Sequence, residues 1–273
     1  MQHSAATRRE PPARVLALSL FRATTGAGPD LALLHGWGLH GGLFAELTAA
    51  LAGRFRVHVI DLPGHGRSSW LKGAADLEGM ARRVAEHLPD SCALLGWSLG
   101  GLVALRIATL FPDRVPTLVL VATTPCFRKR RDWPNGLEEM LIDGLAQGLA
   151  RDWRGTINDF LSLQVRGDEK QLETLRSLKG SVFEHGEPST AALLAGLEIL
   201  RSVDLRGELG AVDARTLVVS GAYDRLTPPA AGAALAAGIA GARHEIVERA
   251  AHAPFLSHPE AFLALLADFL GER

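Results

Sequence analysis

Ser98 lies in Gly96-Trp97-Ser98-Leu99-Gly100, with a glycine two residues to either side. A serine hydroxyl is a poor nucleophile at neutral pH. It attacks a carbonyl only when an imidazole takes its proton, and that imidazole needs a carboxylate to fix its tautomer. The spacing G-x-S-x-G is what a sharp strand-to-helix turn demands, because only small neighbours let strand and helix approach while the central residue keeps a strained backbone and an exposed hydroxyl. The motif alone is common, so its context decides. Ala93-Leu94-Leu95 before it is short enough for a buried strand. Leu102, Leu105, Ile107, Ala108 and Phe111 after it recur at helical spacing until Pro112 ends the run.

The base and the acid are expected in the chain order serine, carboxylate, histidine. Ser98, Asp224 and His252 satisfy that order, Asp224 following the strand expected at 216–221 and His252 the strand expected at 245–247. The other histidines precede Ser98, lie in the N-terminal tail, fall in the 125–196 stretch, or flank strands and helices elsewhere. Asp204 and Asp213 are rival acids, but neither follows a convincing strand. Attack on an ester develops negative charge on oxygen, and a backbone N–H aimed at it contributes about 3 to 4 kcal/mol. The donors expected are the amides of Leu99 and of Trp37 in the His35-Gly36-Trp37 loop. Trp37 and Trp97 add apolar surface, either as pocket wall or as core.

These residues must be held by a scaffold, and its pattern is legible. Strands are expected at 15–22, 31–34, 57–60, 93–95, 117–121, 216–221 and 245–247, with helices at 44–51, 77–88, 102–111, 231–239 and 259–270. Strand and helix alternate, which implies an α/β protein with a mostly parallel sheet and helices on both faces. Ligands bind beyond the carboxyl ends of the strands in such sheets, where all three chemical residues fall. From Pro125 to about Gly196 the alternation stops. Helices at 137–149, 156–163 and 172–178, separated by breakers such as Trp133-Pro134-Asn135-Gly136, form an insertion placed as a lid would be. The organisation expected is a disordered tail at 1–14, a core at 15–124 and 197–273, and a helical lid at 125–196.

Composition narrows the classes. The 273 residues are 47% hydrophobic and 22% charged with a formal net charge of −1, which gives no global attraction to nucleic acid or an anionic membrane. No apolar stretch is long enough to span a bilayer. Two cysteines, Cys92 and Cys126, imply no disulfide framework, so a cytoplasmic protein and a monomer are expected. No H-E-x-x-H or C-x-x-C occurs, and neither a metal nor a cofactor is expected.

Beyond the serine motif, LLHGWG at 33–38, DLPGHGRS at 61–68, LGWSLGGLVA at 95–104, TPCF and DWP within 124–134, GLEILRSVDLR at 196–206 and AAHAPFLSHP at 250–259 occur together. In these the chain resembles the pimeloyl-[acyl-carrier protein] methyl ester esterases of biotin synthesis, within the α/β-hydrolase fold. The resemblance implies hydrolysis of the methyl ester of pimeloyl-acyl-carrier protein, with Ser98, Asp224 and His252 as the triad. It implies that Trp37 and Leu99 contact substrate and that Phe160, Leu161, Ser162, Leu163 and Gln164 line the acyl channel. Arg176 matches a lid arginine that meets the acyl-carrier protein, while Gly155, Asp159 and Leu172 stand where further bases are expected. The stretch Cys126–Glu198 holds ten basic and twelve acidic residues, so a carrier face requires them to segregate in space. The alternatives are a broad short-chain carboxylesterase without a carrier partner and a binding protein without turnover.

Overall fold

Residues 31–34, 57–60, 94–97, 118–121 and 217–221 are buried along their whole length, as strands covered on both faces must be. In a computed structural model, which describes residues 19–271, they form the centre of one seven-stranded sheet. The strands are β1 (Arg22–Thr25), β2 (Asp30–Leu34), β3 (Arg56–Ile60), β4 (Ala93–Trp97), β5 (Thr117–Val121), β6 (Arg215–Gly221) and β7 (Arg243–Val247). Their order is β1-β3-β2-β4-β5-β6-β7, with β1 antiparallel to β3 and every other pair parallel.

The first strand differs from the expectation of 15–22. Residues 15–18, like the tail at 1–14, lie outside the described residues, and the strand that is described begins at Arg22 and takes in Thr24 and Thr25. Thr24 pairs with His58, and its hydroxyl lies 3.0 Å from that imidazole, a cross-strand contact that draws the two threonines into the sheet. The reversal falls instead at Gly26 and Gly28, whose φ values of 86° and 119° only glycine adopts readily.

The helices are α1 (Ala45–Leu51), α2 (Leu77–Ala85), α3 (Leu99–Leu110), α4 (Glu139–Gln164), α5 (Gln171–Ser181), α6 (Thr190–Ser202), α7 (Pro229–Ala237), α8 (Pro254–Ser257) and α9 (Pro259–Gly271). Helix α2 starts at Asp76, whose side chain accepts the Gly79 N–H at 2.7 Å and so satisfies a free amide of the first turn. Helix α3 is apolar almost all round because it packs on β4, β5, β2 and α2 at once.

Helices α4, α5 and α6 fill the stretch between β5 and β6. Helix α4 breaks at Asp152 (φ −151°, ψ 87°), where the Asp152 side chain accepts the Gly155 N–H at 2.9 Å and caps the second half. Helix α6 was not among the elements expected from the sequence. Its buried residues Ala192, Leu193, Gly196, Leu197 and Leu200 line one stripe that packs toward α4 and the core. No helix among the described residues is long and apolar enough to cross a membrane.

Candidate active site

Ser98 follows the last residue of β4 and precedes the first of α3, with φ 56° and ψ −119°, a conformation rare outside glycine. Three close approaches make that turn possible. A Cβ on Gly96 would stand 2.3 Å from the Gly100 carbonyl oxygen, and one on Gly100 would stand 2.4 Å from those of Leu34 and His35. One on Gly101 would stand 2.6 Å from Thr123 Cβ. Neither backbone carbonyl can yield as a side chain tip would, so Gly96 and Gly100 set how near helix and strands come. The Ser98 N–H donates to the Val121 carbonyl at 2.9 Å, and Thr123 Oγ1 donates to the Ser98 carbonyl at 2.8 Å.

The structure brings Ser98, His252 and Asp224 into one line. Ser98 Oγ lies 3.0 Å from His252 Nε2, and His252 Nδ1 lies 2.8 Å from Asp224 Oδ2. All three are almost completely buried. Asp224 Oδ1 accepts the N–H groups of Leu226 at 2.8 Å and Thr227 at 2.9 Å, while Oδ2 also accepts the Thr227 hydroxyl at 2.6 Å. A buried carboxyl group with its lone pairs filled this way is fixed in orientation, and so is the imidazole it faces. The rival Asp204 is engaged elsewhere, by the Arg206 guanidinium at 2.7 and 2.8 Å.

The loop carrying His252 is tied on several sides. Its own N–H donates to the Gln164 carbonyl at 3.0 Å, and its carbonyl accepts from Trp97 Nε1 at 2.7 Å. Trp97 is therefore core beneath the histidine, packed edge-on against Phe255 at 5.0 Å, and not a pocket wall.

Leu99 opens α3, so its amide is one of the helix's free first-turn donors. The loop bearing Trp37 passes close over the serine, since a Cβ on Gly36 would stand 3.3 Å from Ser98 Cβ. His35 fixes that loop: its Nδ1–H donates to the Gly36 carbonyl at 2.8 Å and its Nε2 accepts the Leu62 N–H at 2.8 Å. Burial, reinforced by the neighbouring His65, pushes the His35 pKa down to about 3, so the ring stays neutral in this role. Asp61 braces the same region. Burial works to raise its pKa, but the Arg67 guanidinium and the amides of Arg67 and Gly41 outweigh that and hold it at about 2.

The five α4 residues implied as channel lining are divided by helical geometry, since successive side chains point about 100° apart. Phe160, Leu161 and Gln164 are buried, whereas Ser162 and Leu163 are half-buried. The Ser162 hydroxyl donates back to the Asn158 carbonyl at 3.0 Å. Phe160 meets the Trp37 ring edge-on at 5.0 Å, and the Trp37 indole donates to the Leu193 carbonyl at 2.9 Å. Gly196 of α6 sits against that indole, a Cβ there falling 2.5 Å from Trp37 Cδ1 and 3.3 Å from Leu99 Cδ2. Gln164 Oε1 is buried with no hydrogen-bond partner among the described residues. Arg176 lies apart from this cluster, exposed on α5.

With this fold and this serine turn, the chain belongs to the α/β hydrolase family, whose family model matches residues 31–259. It is 30% identical to a hydrolase of known structure from Pseudomonas aeruginosa, with a TM-score of 0.77 over 92% of this chain and 94% of that one. More particularly, it groups with the pimeloyl-[acyl-carrier protein] methyl ester esterases. It is 44% identical to the protein of that name from Nitrosomonas europaea, over 90% of this chain and 97% of the relative. It is likewise 44% identical to the one from Aeromonas hydrophila, over the same shares.

Proposed function

We propose that this chain is a serine carboxylesterase that hydrolyses the methyl ester of pimeloyl-acyl-carrier protein, releasing methanol and the free carboxylate, as a step of biotin synthesis. The observation that carries the reading is the Asp224–His252–Ser98 relay, with contacts of 2.8 and 3.0 Å, inside a chain 44% identical to esterases of that name. Ser98 Oγ attacks the ester carbonyl as His252 Nε2 takes its proton, and the amides of Leu99 and Trp37 meet the oxyanion. His252 then returns the proton to the departing methanol oxygen. Water attacks the acyl-serine with the same histidine as base, and the carboxylate leaves.

Phe160, Leu161 and Gln164, with Ser162 and Leu163 behind them, border the acyl chain next to Trp37 and Leu99. The edge contact of Phe160 on Trp37 and the unpartnered Gln164 Oε1 support that placement. For the acyl-carrier protein, Arg176 is the matching base. Of the ten bases between Cys126 and Glu198, Arg131, Arg151, Arg166, Lys170, Arg176 and Lys179 are exposed, and no salt bridge is made by them among the described residues. These cations are the bases available to meet the carrier where Gly155, Asp159 and Leu172 offer none.

The test compares wild type with Ser98→Ala on pimeloyl-acyl-carrier-protein methyl ester and on a free short-chain ester, measuring methanol release and kcat/KM. A wild-type preference for the carrier substrate that the variant abolishes supports the proposal. Turnover of the free ester alone keeps the serine chemistry and replaces the substrate by short-chain esters.

A further inference from the structure

Asp168 lies in the turn between α4 and α5, and it is 6% exposed. Among the described residues no basic side chain pairs with it, unlike the other deeply buried aspartates: Asp61 faces the Arg67 guanidinium and Asp224 the His252 imidazole. A carboxyl group taken out of water without a counter-ion is costly unless hydrogen bonds replace the lost solvent. Its partners are two backbone amides. Oδ1 accepts the Lys170 N–H at 2.8 Å, which fixes the side chain on its own turn, and Oδ2 accepts the Ala251 N–H at 2.8 Å, across 83 residues of sequence. Ala251 is the residue before His252.

The loop around His252 is held from two sides. From the sheet side, the Tyr223 N–H donates to the Ala250 carbonyl at 2.8 Å and the Ala222 N–H to the Val247 carbonyl at 3.0 Å. From the α4–α5 side come three ties to the loop's main chain: His252 N–H to the Gln164 carbonyl at 3.0 Å, Glu169 N–H to the Arg249 carbonyl at 3.0 Å, and the Asp168 carboxyl to Ala251. Two of these three are backbone to backbone and survive any side chain. The third exists only because residue 168 carries an acceptor of the right length. The loop also contains Arg249 at φ 60°, a conformation that surrounding contacts must sustain.

We propose that Asp168 is a positioning residue for the reaction: by anchoring the Ala251 amide it sets the His252 ring at hydrogen-bonding distance from Ser98. The inference rests on the reading of Ser98 and His252 as nucleophile and base. The carboxyl group's hydrogen bonds go to the Lys170 and Ala251 amides and not to Ser98, His252 or Asp224. Its loss is felt through the reach of the imidazole, and a misplacement of about 1 Å costs roughly 100-fold in rate.

The experiment follows Ser98 labelling by a fluorophosphonate probe in the full chain, which needs no knowledge of the natural substrate, together with kcat and KM on a free short-chain ester and the melting temperature. The variants are Asp168→Ala, Asp168→Asn, Asp168→Glu and Glu169→Ala. Asp168→Ala is expected to label about 10- to 100-fold more slowly, with the loss in kcat and KM little changed. Asp168→Asn has one acceptor oxygen for the two amides that Asp168 serves, those of Lys170 and Ala251, and labels at a rate between those of Asp168→Ala and wild type. Asp168→Glu retains the charge but shifts the acceptor by one methylene, and it labels several-fold more slowly than wild type (on the order of 10-fold at most). Glu169→Ala removes the exposed side-chain contacts with Arg249 and His258, keeps the Glu169 N–H bond to the Arg249 carbonyl, and labels as wild type. Should Asp168→Ala fail to fold, Asp168→Glu decides alone. Folded Asp168→Glu and Asp168→Ala labelling at the wild-type rate overturns the proposal. A wild type that does not label overturns the serine–histidine reading instead.

Discussion

The N–H of His252 donates to the carbonyl oxygen of Gln164 at 3.0 Å, so the last turn of α4 and the imidazole loop form one hydrogen-bonded unit. The Gln164 side chain takes no part in that bond, and its Oε1 is buried without a partner. Gln164→Leu therefore leaves the histidine anchored and removes an unsatisfied polar atom. Stability is expected to stay level or rise by about 1 kcal/mol. KM for the carrier-bound ester is expected to rise about three- to tenfold, as for a lost polar contact to substrate. Urea midpoints and KM measured side by side separate the two effects.

Asp224→Asn should lower kcat by about 10⁴ while leaving the fold intact, because an amide in place of the carboxylate favours the wrong imidazole tautomer. Thr227→Val acts one step further out. It removes the hydroxyl that donates to Asp224 Oδ2 at 2.6 Å but keeps the Thr227 backbone donor, so kcat should fall less, by about tenfold for a single hydrogen bond to a charged group. Single-turnover rates on an activated ester give both numbers.

Gly100→Ala places a methyl group 2.4 Å from two backbone carbonyl oxygens, those of Leu34 and His35. Relief requires α3 to shift away from β2, and the expected cost is about 1 to 3 kcal/mol. The Ser98 turn moves with the helix, so fluorophosphonate labelling is expected to drop even at temperatures where circular dichroism shows a folded protein.

Acid should destabilise the protein well before the carboxylates titrate. Burial lowers the pKa of His35 to about 3 and of His65 to about 4, against an ordinary value of 6.5. Between pH 6.5 and those values the unfolded chain binds protons that the folded one does not, so unfolding is favoured progressively as pH falls. Asp61, held at about 2 chiefly by Arg67 against the opposing effect of burial, adds a further loss between about pH 4 and 2. Replacing His65 by Gln is expected to flatten the decline between pH 6.5 and 4, read as urea midpoint against pH.

The parallel strands were legible because burial on both faces forces an unbroken apolar run, and Thr117–Val121 shows this residue for residue. Ser98, Asp224 and His252 could be picked out by chain order and by their places after strands. Thr227, the Gln164 carbonyl and Asp168 could not. Each has at least one partner that is a main-chain group or is set by the fold, the Gln164 and Asp168 partners lying 88 and 83 residues away, so nothing in the sequence around them marks the bond. Helix α6 was missed for another reason. Its Leu193, Leu197 and Leu200 do carry the helical period, but Gly196 in the middle reads as an interruption until Trp37 is seen filling the space it leaves. The first strand was displaced because Thr24 and Thr25 suit both a turn and an edge strand, and the cross-strand contact to His58 decides between them.

The bond from Trp97 Nε1 to the His252 carbonyl gives this protein a built-in spectroscopic reporter. The chain has five tryptophans, so a nitrogen-15 labelled sample presents a small set of indole N–H resonances, each assignable by one substitution. The chemical shift of the Trp97 signal follows the length of its hydrogen bond to the histidine's backbone. Displacement of the loop that carries His252, whether by an inhibitor, a bound acyl chain or a distant substitution, then registers as movement of a single peak, with no foreign label near it.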